Sequence, residues 1–322
     1  MTSGDPSGVG PDIAIAAWLR RDAAKTPPFY LLSDPAFLRS RISRLGLSVR
    51  ISEVEPQDAD RAFATALPVA PLAGRFEDRP GAPSALHAKG VVEAINRAVS
   101  DTVNGKASAV VTCPINKKSL YDAGFAFPGH TEYLAHLAGA ALPVMMIAGP
   151  SLKTVPVTIH IALAQVPRAL SRELVAETCK IVARDLARWF GLPKPRLAVA
   201  GLNPHAGENG ALGADEDEIV RPALEMLRSE GIDAAGPYSA DAMFHRDARK
   251  NYDVAICMYH DQALIPAKTL AFDKAVNVTL GLPFIRTSPD HGTAYDVAGT
   301  GRAKPDSLIA ALRMARQMSR RA

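Results

Sequence analysis

Cysteine is scarce in this chain. The 3 cysteines, Cys113, Cys179 and Cys257, lie far apart and form no CxxC pair. That excludes a disulfide framework and fits a reducing compartment. Cys113 and Cys257 sit in apolar, strand-like runs and read as buried small hydrophobes. No stretch approaches the roughly 20 apolar residues that span a bilayer. The opening MTSGDPSGVGPD has no basic start followed by an apolar run, so it does not read as a secretory signal, and a cytoplasmic location is expected. The net charge is only +4, and no Lys/Arg run is interleaved with aromatics. Neither nucleic acid nor a membrane is therefore expected as a partner, although a mildly basic chain suits an anionic substrate. The Lys-Ser/Thr of a Walker A loop is missing, as are the GxGxxG fingerprint and any HExxH.

What is present is the composition of an ordinary globular protein, 48% hydrophobic and 22% charged. A chain of 322 residues suggests two domains at roughly 100–200 residues each. Short β-branched apolar runs predict strands at 29–33, 108–112, 144–148, 155–160, 196–201, 253–259 and 275–280. Between them lie amphipathic stretches at 85–103, 171–191 and 215–231. In the second, Ser171 stands as an N-cap and Gly191 just past the end; the third starts acidic and finishes at Gly231. Apolar strands alternating with helices predict an α/β fold with a largely parallel sheet. The loop SGDPSGVGPD has almost no chain before it, so the strand that normally feeds such a loop is expected to be missing. Taken alone the loop is as good a generic glycine turn as a phosphate loop.

Of 8 histidines, three share a context. VPVTIH ends in His160, RLAVAGLNPH carries His205 just beyond a buried strand, and DVAICMYH ends in His260. Ligands of open α/β sheets bind beyond the carboxyl ends of the strands, where three imidazoles can converge on one metal. Any one of them alone reads equally well as a structural hydrogen-bonding group; their joint placement favours a site. Asp261 follows His260 and supplies a carboxylate to the metal's surroundings or to the substrate. In FPGHTEYLA, His130 and Thr131 stand at a predicted helix start, where free backbone N–H groups hold an anion; the plainer reading is a helix cap. Lys268, Asn277 and Arg286, in the Gly/Pro-punctuated C-terminal third, have the chemistry of a phosphate grip. For Lys268 a plain surface charge is the competing reading.

GDPSGVGPD, PGHTEYLA, LNPHAGE, YHDQ, VNVTLGLPFIRTSPDHGTA and the trailing AGTG, in this order over nearly the whole chain, resemble the 4-hydroxythreonine-4-phosphate dehydrogenase family of pyridoxal phosphate biosynthesis. The resemblance implies the isocitrate/isopropylmalate dehydrogenase-like fold, two α/β domains with a cleft between them. It places a discontinuous outer, cofactor-side domain at 1–115 plus 265–322 and an inner, dimerisation and metal-site domain at 116–264. It implies a homodimer with a shared active site, metal ligation by His160, His205 and His260, and substrate binding by His130, Thr131, Lys268, Asn277 and Arg286. HGTAYDVAG resembles the adenosine loop of the decarboxylating dehydrogenases, which assigns His291, Gly292 and Asp296 to the cofactor. Asp296 would bond the ribose hydroxyls of NAD and repel the extra phosphate of NADP, so NAD is the expected preference.

The implied reaction is NAD(P)- and metal-dependent oxidation of 4-hydroxythreonine 4-phosphate to a β-keto acid, which decarboxylates to 3-amino-2-oxopropyl phosphate. Asp241 and Asp261 are the candidate general bases, with Lys268 a third. Zn²⁺, Co²⁺ and Mg²⁺ all remain open as the metal. Competing readings are a sister dehydrogenase for 4-phosphothreonate or a similar four-carbon acid, a phosphate acyltransferase-like enzyme needing no metal triad, and a zinc hydrolase.

Overall fold

The structure, a computed structural model, describes residues 1–321. Among them are strands β1 (Leu31–Ser33), β2 (Ile51–Glu53), β3 (Leu67–Pro71) and β4 (Val110–Val111), followed by β5 (Val144–Ala148), β6 (Lys153–Thr158) and β7 (Leu197–Ala200). The remaining strands are β8 (Ala234–Tyr238), β9 (Val254–Tyr259), β10 (Val276–Leu280) and β11 (Arg286–Pro289). The chain divides into two compact units, Met1–Pro143 with Leu282–Arg320, and Val144–Gly281 with Arg321. The crossings therefore fall after Pro143 and after Gly281, against 115 and 264 in the sequence-based division.

In the first unit β3 runs parallel to both β1 and β2, and β11 runs parallel to β4. The strand expected to be missing is present as a single residue. Thr2 bridges Leu32 and Thr112 in the parallel sense, with Leu32 N–H donating to Met1 O at 2.8 Å and Thr2 N–H to Val111 O at 3.0 Å. Helix Gly10–Leu19 leaves the loop that follows, and its Ile13, Ala14, Ile15, Ala17 and Trp18 are all buried. In helix Ala88–Val103 the buried Val91, Ala94, Ile95, Ala98 and Val99 follow the three- and four-residue spacing of one helical face.

In the second unit the strand order is β10-β5-β6-β9-β7-β8. β6, β9, β7 and β8 are parallel, while β5 is antiparallel to both β6 and β10. The antiparallel step follows from the Gly-Pro-Ser turn after β5, closed by Gly149 N–H on Leu152 O at 2.8 Å, which returns the chain beside itself. Helix Arg172–Phe190 begins and ends as its sequence predicts: Ser171 Oγ accepts from Leu174 N–H at 3.1 Å, and Gly191 turns left-handed with φ 67°. The core here is rich in small residues, Ala198, Ala200, Ala255, Cys257, Ala263 and Ala267, and helix His260–Ala271 packs on β6 and β9. All three thiols are free and buried, and burial pushes those of Cys113 and Cys179 up to about 12.

Candidate functional site

Sheet order decides where the three strand-end histidines go. β6, β9 and β7 are consecutive neighbours, and His160, His260 and His205 follow their carboxyl ends. The rings of His160 and His260 lie 5.7 Å apart between centroids. His205 stands instead within the field of Asp241. Among the described residues no three His, Cys, Asp or Glu side chains are grouped closely enough to hold one ion. The donor chemistry nonetheless suits a metal: His160 and His205 are exposed, His260 is half-buried, and imidazole is a common ligand. His260 begins its helix and its Nδ1 meets Asp261 Oδ1 at 2.7 Å, so the neighbouring carboxylate orients the ring and leaves Nε2 outward.

His205 is held in an unusual backbone. His205, Ala206, Gly207, Glu208 and Asn209 run left-handed in succession, with φ of 51°, 50°, 77°, 44° and 56°. Residues with a Cβ lose roughly 1–2 kcal/mol each in that region, so surrounding structure must hold the turn. His160 also has positive φ, 53°. Asp241 is exposed, and a hydrogen bond from Ser239 Oγ, helped by His205, holds its carboxyl below the usual range. It is therefore ionised at neutral pH.

Lys268 is half-buried on helix His260–Ala271, two turns from His260 on the same face. Asn277 lies in β10 opposite Ile147, and its buried Oδ1 has no hydrogen-bond partner among the described residues. These belong to the second unit. In the first, Arg286 opens β11, is buried, and donates to Thr112 Oγ1 at 2.8 Å. Burial lowers its pKa to about 10, against the raising effect of Glu132.

His130 is the first residue of helix His130–Ala138, whose start no side chain caps, and the half-buried Thr131 follows it. Desolvation, then the cations Arg286 and Lys117, lower the His130 pKa to about 3, so the ring is neutral. Its Nε2 is shielded and has no partner among the described residues. A neutral imidazole beside two cations and an open helix start is an anion-binding arrangement.

The segment that the resemblance assigns to the cofactor is anchored on the glycine loop. Val9 N–H donates to Thr293 O at 2.9 Å, Tyr295 Oη to Asp5 Oδ2 at 2.6 Å, and Gly299 N–H to Asp12 Oδ2 at 2.6 Å. These bonds leave His291, Gly292 and Asp296 exposed. The His291 ring rests at 3.0 Å from Gly292 O, and Asp296 O accepts from Arg302. Several amides of the glycine loop itself are taken by protein acceptors. Asp5 N–H goes to Pro114 O, Ser7 N–H to Asp5 Oδ1, and Gly8 N–H to Asp5 O. These bonds are those of a glycine turn packed against the protein.

The family model for pyridoxal phosphate biosynthetic protein PdxA matches residues 24–315. This chain belongs to the PdxA family. It is 56% identical to a 4-hydroxythreonine-4-phosphate dehydrogenase of Methylorubrum extorquens, over 100% of this chain and 94% of that one. Among solved structures it is similar to 4-hydroxythreonine-4-phosphate dehydrogenase from Klebsiella pneumoniae, with TM-score 0.88, 37% identity, and 99% and 98% of the two chains covered. A terephthalate 1,2-cis-dihydrodiol dehydrogenase from Burkholderia xenovorans follows at TM-score 0.66 and 28% identity, covering 98% and 96%. The α/β architecture expected from the resemblance is the PdxA architecture observed.

Three groups escaped the sequence reading. Lys117 follows the N-cap Asn116, and its Nζ would lie 3.2 Å from a Cβ placed on Gly129, so it overhangs the helix start at His130. Asn116 donates to Tyr295 Oη at 2.5 Å, tying that segment to the HGTAYD loop. Arg41 is fully buried, donating to Asp12 at 2.5 Å, Asp78 at 2.6 Å and Pro6 O at 2.7 Å. It stands in an ordinary amphipathic helix, Pro35–Arg44, where nothing local distinguishes it from a surface arginine. Asn116 and Lys117 carried a weak signal, a polar pair separated from the buried Val110–Cys113 only by Pro114 and Ile115.

Proposed function

We propose that this chain is a metal-dependent, nicotinamide-linked oxidoreductase that converts 4-hydroxythreonine 4-phosphate to a β-keto acid, which loses carbon dioxide to give 3-amino-2-oxopropyl phosphate. The observation that carries this reading is 56% identity, across the whole chain, to a relative of that name. The placement of His160, His260 and His205 after three neighbouring strands supports it. These histidines would hold one divalent ion, Zn²⁺, Co²⁺ or Mg²⁺. Such an ion supplies Lewis-acid polarisation of the substrate's oxygens, and the nicotinamide accepts the hydride.

The protein's own groups then have distinct tasks. Asp261 sets the tautomer and orientation of His260 through the 2.7 Å contact, which makes Asp241, held ionised, the stronger of the two candidate bases. His130, as a neutral ring, can donate or accept one hydrogen bond to the substrate. Thr131, Lys268, Asn277 and Arg286 are the remaining substrate contacts, the two cations taking the phosphate. Remote binding energy from that phosphate positions the reacting carbon. His291, Gly292 and Asp296 serve the cofactor, and the exposed Asp296 carboxylate favours NAD over NADP. A homodimer is supported by large exposed apolar side chains in the second unit, Leu163 at 68%, Ile265 at 64% and Phe272 at 74%. No helix among the described residues is long and apolar enough to cross a membrane, and a biosynthetic role suits a cytoplasmic location.

The test is incubation with 4-hydroxythreonine 4-phosphate, NAD and a divalent metal, following reduced-cofactor absorbance and carbon dioxide. Reduction abolished by a chelator and by His205→Ala is the expected result. Turnover of 4-phosphothreonate instead would keep the site and move the substrate. Silence with every phosphorylated acid would end this reading.

A further inference from the structure

We infer that Glu216 is the positioning residue that keeps the left-handed His205 turn in its ligand-presenting conformation, acting through Asn203. The inference rests on the reading of His205 as a metal ligand. The turn from His205 to Asn209 is mostly exposed, and the bonds at its ends are short-range: Ala206 N–H to Asn203 O at 3.2 Å, Leu212 N–H to Gly207 O at 3.0 Å, Ala211 N–H to Glu208 O at 3.3 Å. Those bonds do not by themselves hold side-chain-bearing residues in a region they avoid.

Beneath the turn lies a carboxylate that is only 1% exposed. Glu216 Oε1 accepts from Asn203 N–H at 2.8 Å, and Oε2 accepts from Asn203 Nδ2 at 3.0 Å. Asp215 Oδ2 takes the same amide at 2.9 Å. Asn203, two residues before His205, is thus gripped at its backbone and its side chain together. The glycines around it are shaped to this carboxylate. A Cβ on Gly207 would come 2.5 Å from Glu216 Oε2, and one on Gly201 would come 2.9 Å from Oε1. A Cβ on Gly213 would strike Asn203 Nδ2.

The element that carries Glu216 completes the case. The acidic stretch at 215–231 opens as a wide π turn, Glu216–Val220, before the α-helix Arg221–Ser229. The wide turn precedes Pro222, which has no N–H to give an ordinary helical bond. Such local widening recurs at functional sites, and here it directs a carboxylate inward from an otherwise exposed, acidic helix start. Groups that orient a metal-binding side chain typically change affinity about 10–100-fold when removed.

The experiment measures Co²⁺ and Zn²⁺ affinity by chelator competition, with the visible Co²⁺ spectrum as a signature of the ligand set. Glu216→Ala is expected to weaken binding about 10–100-fold and to change that spectrum. Glu216→Gln retains one acceptor for Asn203 N–H but sets an amide donor against the Asn203 side chain, so it should fall between parent and Ala. Gly207→Ala attacks the same brace from above and should weaken binding comparably; it also serves if Glu216→Ala does not fold. Glu218→Gln, at an exposed neighbour, removes the same charge and should leave affinity unchanged. Folded Glu216 and Gly207 variants with affinity within about twofold of the parent, while His205→Ala loses the metal, would overturn the brace alone. Undiminished affinity in His205→Ala would instead overturn the ligand assignment, and the brace with it.

Discussion

Two glycine-rich loops look alike on paper and are used in opposite ways. SGDPSGVGPD in the first unit is buried throughout, and the amides of Asp5, Ser7, Gly8 and Val9 are spent on protein acceptors. LNPHAGENG in the second unit is largely exposed and left-handed, and it raises a histidine outward. The first loop is a clasp. A fully buried Arg41 joins it to Asp12 and Asp78, and Asp12 in turn holds Gly299 of the AGTG segment. The second is a crown whose approach, at Asn203, is gripped by the carboxylates of Glu216 and Asp215. Glycine content alone says only that the backbone is free to turn. Whether that freedom serves packing or presentation depends on what surrounds the loop.

The clasp should therefore be sensitive in stability and the crown in function. The largest effect is expected at Arg41. Arg41→Met leaves the buried Asp12 without its cation, while Asp78 keeps Arg44, and this should cost about 3–5 kcal/mol of unfolding free energy in urea titrations. A loss below about 1 kcal/mol would mean the network is not what closes the clasp. Next comes Gly10→Ala, whose Cβ would run into Ser3 O in a fully packed site. Overpacking there should cost about 1–3 kcal/mol, read as a lowered Tm with metal affinity unchanged.

The crown should answer with the reverse pattern. His205→Gly removes a side chain from a left-handed position, so stability should rise or hold within about 1 kcal/mol. Metal binding and turnover should fall sharply in the same variant. A stability loss as large as that of Gly10→Ala would erase the distinction between the two loops.

The smallest effect at neutral pH separates His130 of the first unit from His205 of the second. The folded pKa of His130 is lowered from 6.5 to about 3, so the folded state keeps the ring neutral while the unfolded chain takes up a proton first. Its contribution is present above about pH 6.5 and is lost as pH falls toward about 3. His130→Gln should therefore lose less stability than the parent over that window, with no difference between them at about pH 8. An imidazole that titrates near 6.5 by NMR would contradict the burial assigned to it.

Much of this was legible in the chain because the signals are local. The run VMMIA is β5 residue for residue, and Ser171 and Gly191 bound their helix as capping chemistry requires. The strands that were not anticipated carry atypical residues. β2 is ISE, β3 is LPVAP, β8 is AAGPY and β11 is RTSP, each with a proline or polar residues where pattern reading expects a break. The residue that supplies the strand before the clasp was also out of reach, since one bridging Thr2 has no periodicity to detect.

The sequence by itself determined the α/β class, the family, and the three histidines that follow buried strands. Those depend on short-range patterns and on motifs whose residues are close in the chain. Only the tertiary structure decided that β6, β9 and β7 are neighbours, that Arg41 is sealed between two carboxylates, and that Glu216 lies beneath His205. Each of these is set by strand order and by which face of a helix is buried, so the partners lie far apart in sequence and no local spacing marks them.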